Sequence, residues 1–380
     1  MCTENVTVSR FDDDSMTPEK TGSLRFVLAI LILILHSSNM FGFSWPQATG
    51  YMSVGAFLFL SGYGLHESLK KKKGYLKTFI PKRYPAILLP YFICSILTAI
   101  IYFVTFSETN LFDKILARIF AFPPNHWYVM ELLTFYTIFF LSFLFLRGRW
   151  GVISIIIMST SAALIMGYYF NATVYYISFT GFLWGVLFSF SSEKLFPFLK
   201  KYYIPIIIIL LILFFIPYYA YGGYGRPVPH VIFTGIRCSI FILLIVLLRM
   251  LNFRKNILVF AAILLSSLFV FIMWGEMSTD SFYVEAPRII LIISILVIVT
   301  KIGPLNNILH LGKDIAYEFF LIHWTLLRVV YSFNIDSFFI MVLLSIVLSI
   351  IVSFAIRLLT KFILKRYNRA FDNLDSAGAG

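Results

Sequence analysis

Two residues in the first long apolar run, Leu24-Arg-Phe-Val-Leu-Ala-Ile-Leu-Ile-Leu-Ile-Leu-His36, have the types and spacing to do chemistry: Arg25 and, eleven positions later, His36. In a helix rising about 1.5 Å per residue the imidazole lies roughly 16 Å deeper than the guanidinium, near the middle of a hydrocarbon layer about 30 Å thick. An ionisable group there costs about 2.5 kcal/mol or more, so it normally lines a cavity and marks a functional site. His323 stands in a second apolar run at comparable depth. A neutral imidazole can take a proton from a hydroxyl and return it, and its unperturbed pKa near 6.5 suits that work. A histidine can also serve as hydrogen-bonded glue between helices. Two such histidines, one preceded by a cation, favour a proton-handling site.

Further polar groups sit where apolar runs begin or pass. Glu131 is about one turn inside a run that opens His126-Trp127-Tyr128 and continues to Phe135-Tyr136, so its carboxylate needs a partner or a wet cavity. Trp127 and Tyr128 also suit an interfacial aromatic belt. Arg237 falls in another run, and Glu318 and Arg328 flank His323. Glu318 and His323 are five apart, about 140° round a helix, and do not share a face. Ser61 lies within the stretch Gly55-Ala-Phe-Leu-Phe-Leu-Ser61-Gly62-Tyr63-Gly64, whose small residues permit close helix approach. Lys82-Arg83, at a helix entrance, can hold phosphates by charge-assisted hydrogen bonds.

The elements that must position these groups are membrane helices. Of 380 residues 60% are hydrophobic and 13% charged, which no soluble domain of this size approaches. The apolar runs are long and separated by short polar turns, so the expected fold is all-α, a polytopic transmembrane bundle of about 10–12 helices. The span requirement of ~20 residues places helices near 24–43, 50–69, 84–105, 127–146, 151–168, 173–190, 203–220, 230–250, 257–274, 288–303, 314–333 and 337–360.

Basic residues follow every second span: Lys70 to Lys73, Lys77, Lys82 and Arg83; Arg147 and Arg149; Lys194, Lys200 and Lys201; Arg249, Arg254 and Lys255; Lys301 and Lys313; Lys361, Lys365, Arg366 and Arg369. The positive-inside rule then puts both termini in the cytoplasm. Most of the +13 net charge is topological or meets anionic lipid, and nothing argues for nucleic acid. The organisation expected is a cytoplasmic tail over 1–23, a membrane domain over 24–366 and a disordered tail over 367–380. Asp12-Asp13-Asp14 stands where a secretory leader would be basic, so no cleaved signal peptide is expected. Cys2, Cys94 and Cys238 are too scattered for a disulfide framework or a metal site.

Taken in order, five elements resemble the acyltransferase-3 family of bacterial inner-membrane enzymes. They are Leu24-Arg25 with His36; Gly55 to Tyr63; Phe79-Ile80-Pro81-Lys82-Arg83 running to Pro90-Tyr91; His126-Trp127 running to Phe135-Tyr136; and Leu311-Gly312-Lys313-Asp314-Ile-Ala-Tyr317-Glu-Phe-Phe-Leu-Ile-His323. The position where the family usually carries a second arginine in the basic stretch holds Ala86.

The resemblance implies an integral-membrane O-acyltransferase of the cell inner membrane. It would move an acyl group, typically acetyl, from cytoplasmic acyl-CoA to a hydroxyl of an extracytoplasmic carbohydrate or related envelope acceptor. Acyl-CoA is then a co-substrate, with no permanently bound cofactor and no metal. By the same resemblance His36 is the general base and Arg25 the supporting cation. Lys82 and Arg83 meet the donor's phosphates, and Ser61, Trp127, Glu131, Tyr136, Arg237, Tyr317 and His323 line the substrate cavity. Buried Arg, Glu and His are also what a multi-pass transporter or exporter of a small or lipid-linked substrate carries, yet no half-repeats and no matched broken helices are visible.

Overall fold

The computed structural model describes residues 18–42, 47–106, 127–169, 178–219, 227–252 and 311–377, with scattered positions between them. Ten long helices lie within those segments: α1 (Pro18–Met40), α2 (Gln47–Lys71), α3 (Phe79–Phe106), α4 (Trp127–Phe145), α5 (Arg149–Tyr169), α6 (Thr180–Lys201), α7 (Tyr203–Tyr219), α8 (Pro227–Met250), α9 (Ala316–Tyr331) and α10 (Phe338–Ala377). No β-strand occurs among the described residues. Five stretches of them, Thr21–Met40, Phe79–Phe106, Trp127–Phe145, Arg149–Met166 and Phe338–Ala370, are long and apolar enough to cross a bilayer. The protein is an all-α, multi-pass membrane protein.

Several boundaries differ from those expected, for local reasons. α1 starts at Pro18, because proline at a first helical position loses no bond that the helix would make. α3 starts at Phe79 and takes up Lys82 and Arg83. α10 runs on to Ala377, so the expected disordered tail over 367–380 is helical through 377. Lys, Arg and Leu between its last apolar turn and that end are good helix formers. The segments expected at 257–274 and 288–303 lie largely outside the described residues.

The chain divides into two compact units, with α1, α2 and α5 each contributing residues to both. One contains Met1–Leu28, Ser44–Gly64 and Leu164–Leu311. Within it α2 and α6 meet through glycines: a Cβ on Gly181 would overlap the Gly55 carbonyl, one on Gly185 the Phe59 carbonyl, and one on Gly62 the Phe182 carbonyl. Lipid does not drive helices together by hydrophobicity, so such backbone contact supplies the dispersion that holds them. At the end of α8, Lys301 donates to the carbonyls of Arg249 and Leu251 and so caps the last turn. Arg249, expected as a solvated charge after its span, is instead inside the last turn with its side chain buried.

The other unit contains Ala29–Phe43, Leu65–Ala163 and Gly312–Gly380. Gly74, in the turn between α2 and α3, takes φ +69°, a conformation that costs glycine nothing. α9 is held from two sides. Toward α3, Tyr317 O–H donates to the Ile87 carbonyl (3.1 Å), Thr98 and Thr325 share a hydrogen bond (2.8 Å), and Arg328 reaches Tyr102 Oη (3.5 Å). Both residue numbers rise together, so α3 and α9 run parallel. Pro90 withholds an N–H from the same stretch of α3 whose Ile87 carbonyl Tyr317 uses. Toward α10, Lys361 meets Asp314 (2.9 Å) and Arg357 meets Glu318 (3.2 Å), which makes that pair antiparallel. α10 is polar inside and apolar outside: Ser345, Ser349, Ser353 and Thr360 are buried, whereas Leu343, Val347, Ile351, Phe354 and Leu358 are exposed. That is the arrangement lipid calls for.

Candidate functional site

Within the second unit α1 and α9 bring the two histidines together, His323 from the middle of α9 and His36 from near the end of α1, about one turn before Met40 and not at the midpoint expected of it. Their rings stack with centroids 5.3 Å apart and planes 25° from parallel. Trp324 approaches His36 at 4.8 Å and 63°. Phe319 lies parallel to His323 at 6.5 Å, and Phe320, itself packed on Tyr128, tilts against His323 at 5.7 Å. His323 is buried and His36 half-buried. The hydroxyls that follow His36 on α1 are turned back on their own helix: Ser37 Oγ donates to the Leu33 carbonyl (2.8 Å) and Ser38 Oγ to that of Leu35 (2.7 Å).

His323 Nδ1 is 2.6 Å from the Phe320 carbonyl. A carbonyl oxygen only accepts, so Nδ1 carries the hydrogen and the neutral ring keeps its lone pair on Nε2. Two imidazolium charges 5.3 Å apart would repel by about 3 kcal/mol at an effective dielectric near 20. The stack therefore takes at most one proton beyond the neutral pair.

The other residues singled out from the sequence fall into three groups. In the second unit, Lys82 is exposed on the first turn of α3, while Arg83 donates from Nε to Tyr75 Oη (3.0 Å) with its guanidinium 5.7 Å above the same ring. Ala86 follows one turn later, half-buried. On α4, Glu131 is buried, Trp127 is half-buried edge-on to Tyr128 (6.3 Å), and Tyr136 is buried against Phe79 (5.9 Å). Tyr317 faces α3 rather than α1, bound to the Ile87 carbonyl. Arg25, Ser61 and Arg237 belong to the first unit. There Arg25 is exposed, Ser61 Oγ donates to the Phe57 carbonyl (3.0 Å), and Arg237 is half-buried on α8.

α9 thus divides its polar side chains by face. Tyr317, Thr325 and Arg328 serve α3, Glu318 serves α10 together with Asp314 in the turn just before α9, and His323 serves α1. The 140° expected between Glu318 and His323 is what separates the last two. Sequence reading passed over two contributors. Trp324 carried a signal, as an indole beside an intramembrane histidine and far from either end of its apolar run. Arg357 carried none, since it precedes the basic cluster at the end of its span and reads as part of it.

A family model described as an acyltransferase domain, acyltransferase 3, matches residues 23–272. The match includes α1 to α8 and ends before α9 and α10. No curated protein and no solved structure matches the chain.

Proposed function

The chain belongs to the acyltransferase 3 family, and from that membership we propose that this membrane acyltransferase moves an acyl group from cytoplasmic acyl-CoA to a hydroxyl of an extracytoplasmic carbohydrate, with His36 as general base. The observation that carries the reading is His36 itself, an imidazole in the last turns of the apolar helix α1, packed against the rings of His323 and Trp324.

In the reaction the acceptor oxygen attacks the thioester carbonyl. A C–O bond forms, the C–S bond breaks, and the hydroxyl proton passes to His36 and from there to the departing CoA thiolate. No net proton is made or consumed. Lys82 and Arg83 at the entrance of α3 are the cations for the donor's phosphates, with both termini and this entrance on the cytoplasmic side of the inner membrane. Arg25, about three turns nearer the cytoplasm on the same helix, is the supporting cation.

The test is His36→Ala in membrane vesicles that hold the protein and the cell's own envelope glycans, supplied with labelled acetyl-CoA. Label in the glycan fraction should fall by a factor of about 100 or more, the upper part of what a general base contributes. Labelling at the parent's rate would remove His36 from the mechanism.

A further inference from the structure

His323 lies beyond the residues that the family model matches, and the resemblance places it only among the residues lining the cavity. Resting on the reading of His36 as the base, we propose that His323 is a positioning residue that stays neutral and offers its ring face to the imidazolium forming on His36 as the acceptor's proton is taken.

Three observations carry this. First, the rings are stacked, 5.3 Å apart and 25° from parallel, so the nitrogens of each, which donate and accept in the ring plane, do not point at the other. The pair is built for face contact and not for handing a proton across. Second, the 2.6 Å bond from His323 Nδ1 to the Phe320 carbonyl fixes both tautomer and ring orientation, and the Phe319 ring lies parallel to the imidazole at 6.5 Å. Third, α9 does not need His323 to stay docked. Tyr317, Thr325 and Arg328 tie it to α3, and Asp314 and Glu318 tie it to α10.

A cation over an aromatic face in a desolvated site gains enough to be felt in a rate. In the step itself the hydroxyl O–H bond breaks, its electron pair forms the new C–O bond, and the proton sits on His36 until the CoA thiolate removes it. His323 neither gains nor loses a proton. It stabilises a charge absent from the resting enzyme, so its loss should lower kcat and leave KM for acetyl-CoA unchanged.

The experiment compares His323→Phe and His323→Leu with the parent, using labelled acetyl-CoA, vesicles containing the full chain and their native glycans, and thermal midpoints in detergent as the folding control. His323→Phe keeps an aromatic face and should stay within about threefold of the parent; His323→Leu keeps apolar bulk alone and should lose about 30-fold in kcat at constant KM. Equal loss in both variants would mean that a nitrogen is required and would overturn the proposal, as would full activity in His323→Leu. His36→Ala, run in parallel, separates the two readings: if it retains activity, the base assignment fails whatever the His323 variants do.

Discussion

Glu318 and Arg357 test how much a single ion pair inside this protein holds. Glu318 is 0% exposed, its Oε1 meets Arg357 at 3.2 Å, and its Oε2 has no hydrogen-bond partner among the described residues. Removing one member of such a pair strands a buried charge, at about 3–5 kcal/mol. The Arg357 side chain is 30% exposed, which puts Glu318→Gln near the lower figure, about 3 kcal/mol, and Arg357→Ala, which strands the buried carboxylate, toward the upper, about 5 kcal/mol. Replacing both by Leu should recover most of that, because no charge is left behind; a double variant as unstable as the singles in detergent thermal denaturation would contradict this. The Asp314–Lys361 pair one turn away behaves differently, being 52% exposed on each side. Lys361, first by hydrogen bonding and then by charge, holds the Asp314 carboxyl below the usual carboxylate range. That contribution is present above the ordinary carboxylate pKa and is lost as pH falls through the depressed one, so Asp314→Asn should cost under about 1 kcal/mol at neutral pH and nothing in strong acid. What sequence could offer here was uneven. His36 and His323 were legible one at a time, because each is costly in an apolar run. That they face each other was not, since it depends on α1 and α9 lying side by side. Arg357 was hidden by the lysines and arginines that follow it.

At the scale of elements, the glycines of α2 and α6 carry a contact that propensity alone would not justify. Glycine inside a helix costs about 1 kcal/mol relative to alanine, so a run of them needs compensation, which the overlap of a Gly185 Cβ with the Phe59 carbonyl identifies. Gly185→Ala should force the two helices apart and destabilise by about 1–3 kcal/mol. Gly64→Ala is the matched control on α2. Nothing lies within 4 Å of the position its Cβ would take, so the exchange should be neutral or slightly stabilising. Thermal midpoints of the two variants should therefore move in opposite directions or differ by several degrees, and equal shifts would show that the glycines are incidental. The small-residue spacing at Gly55 to Gly64 pointed to such packing, but the partner helix could not be named from it. Helix ends were read less well than helix existence. Hydropathy marks where a segment leaves hydrocarbon, whereas Pro18, the polar start of α3 and the charged turns after Lys361 continue the helix into water, where backbone bonding and not apolarity decides.

For the molecule as a whole, charge and length together bear on which side of the membrane each end of these helices meets. α10 has 40 residues and is about 60 Å long, twice the hydrocarbon thickness, so a large part of it must stand in water. Its exposed apolar residues run from Phe339 to Ile363, with Tyr367 beyond them among Lys365, Arg366 and Arg369, which places the projecting part on the same side as those cations. α9 is antiparallel to α10 and parallel to α3, so the starts of α3 and α9 share that side, with Lys82, Arg83 and Lys313. α3, α9 and α10 thus gather cations at one end, with Arg328 at the far end of α9 the exception. Positive-inside reasoning assigns that end to the cytoplasm, where an acyl-CoA donor is available. With Cys2, Cys94 and Cys238 replaced by Ser, a membrane-impermeant maleimide should label Asn110→Cys, beyond the opposite end of α3, in intact cells. Lys72→Cys, in the turn before α3, should react only after permeabilisation. Labelling of Lys72→Cys in intact cells would invert the topology and put the basic entrance of α3 on the side that has no acyl-CoA.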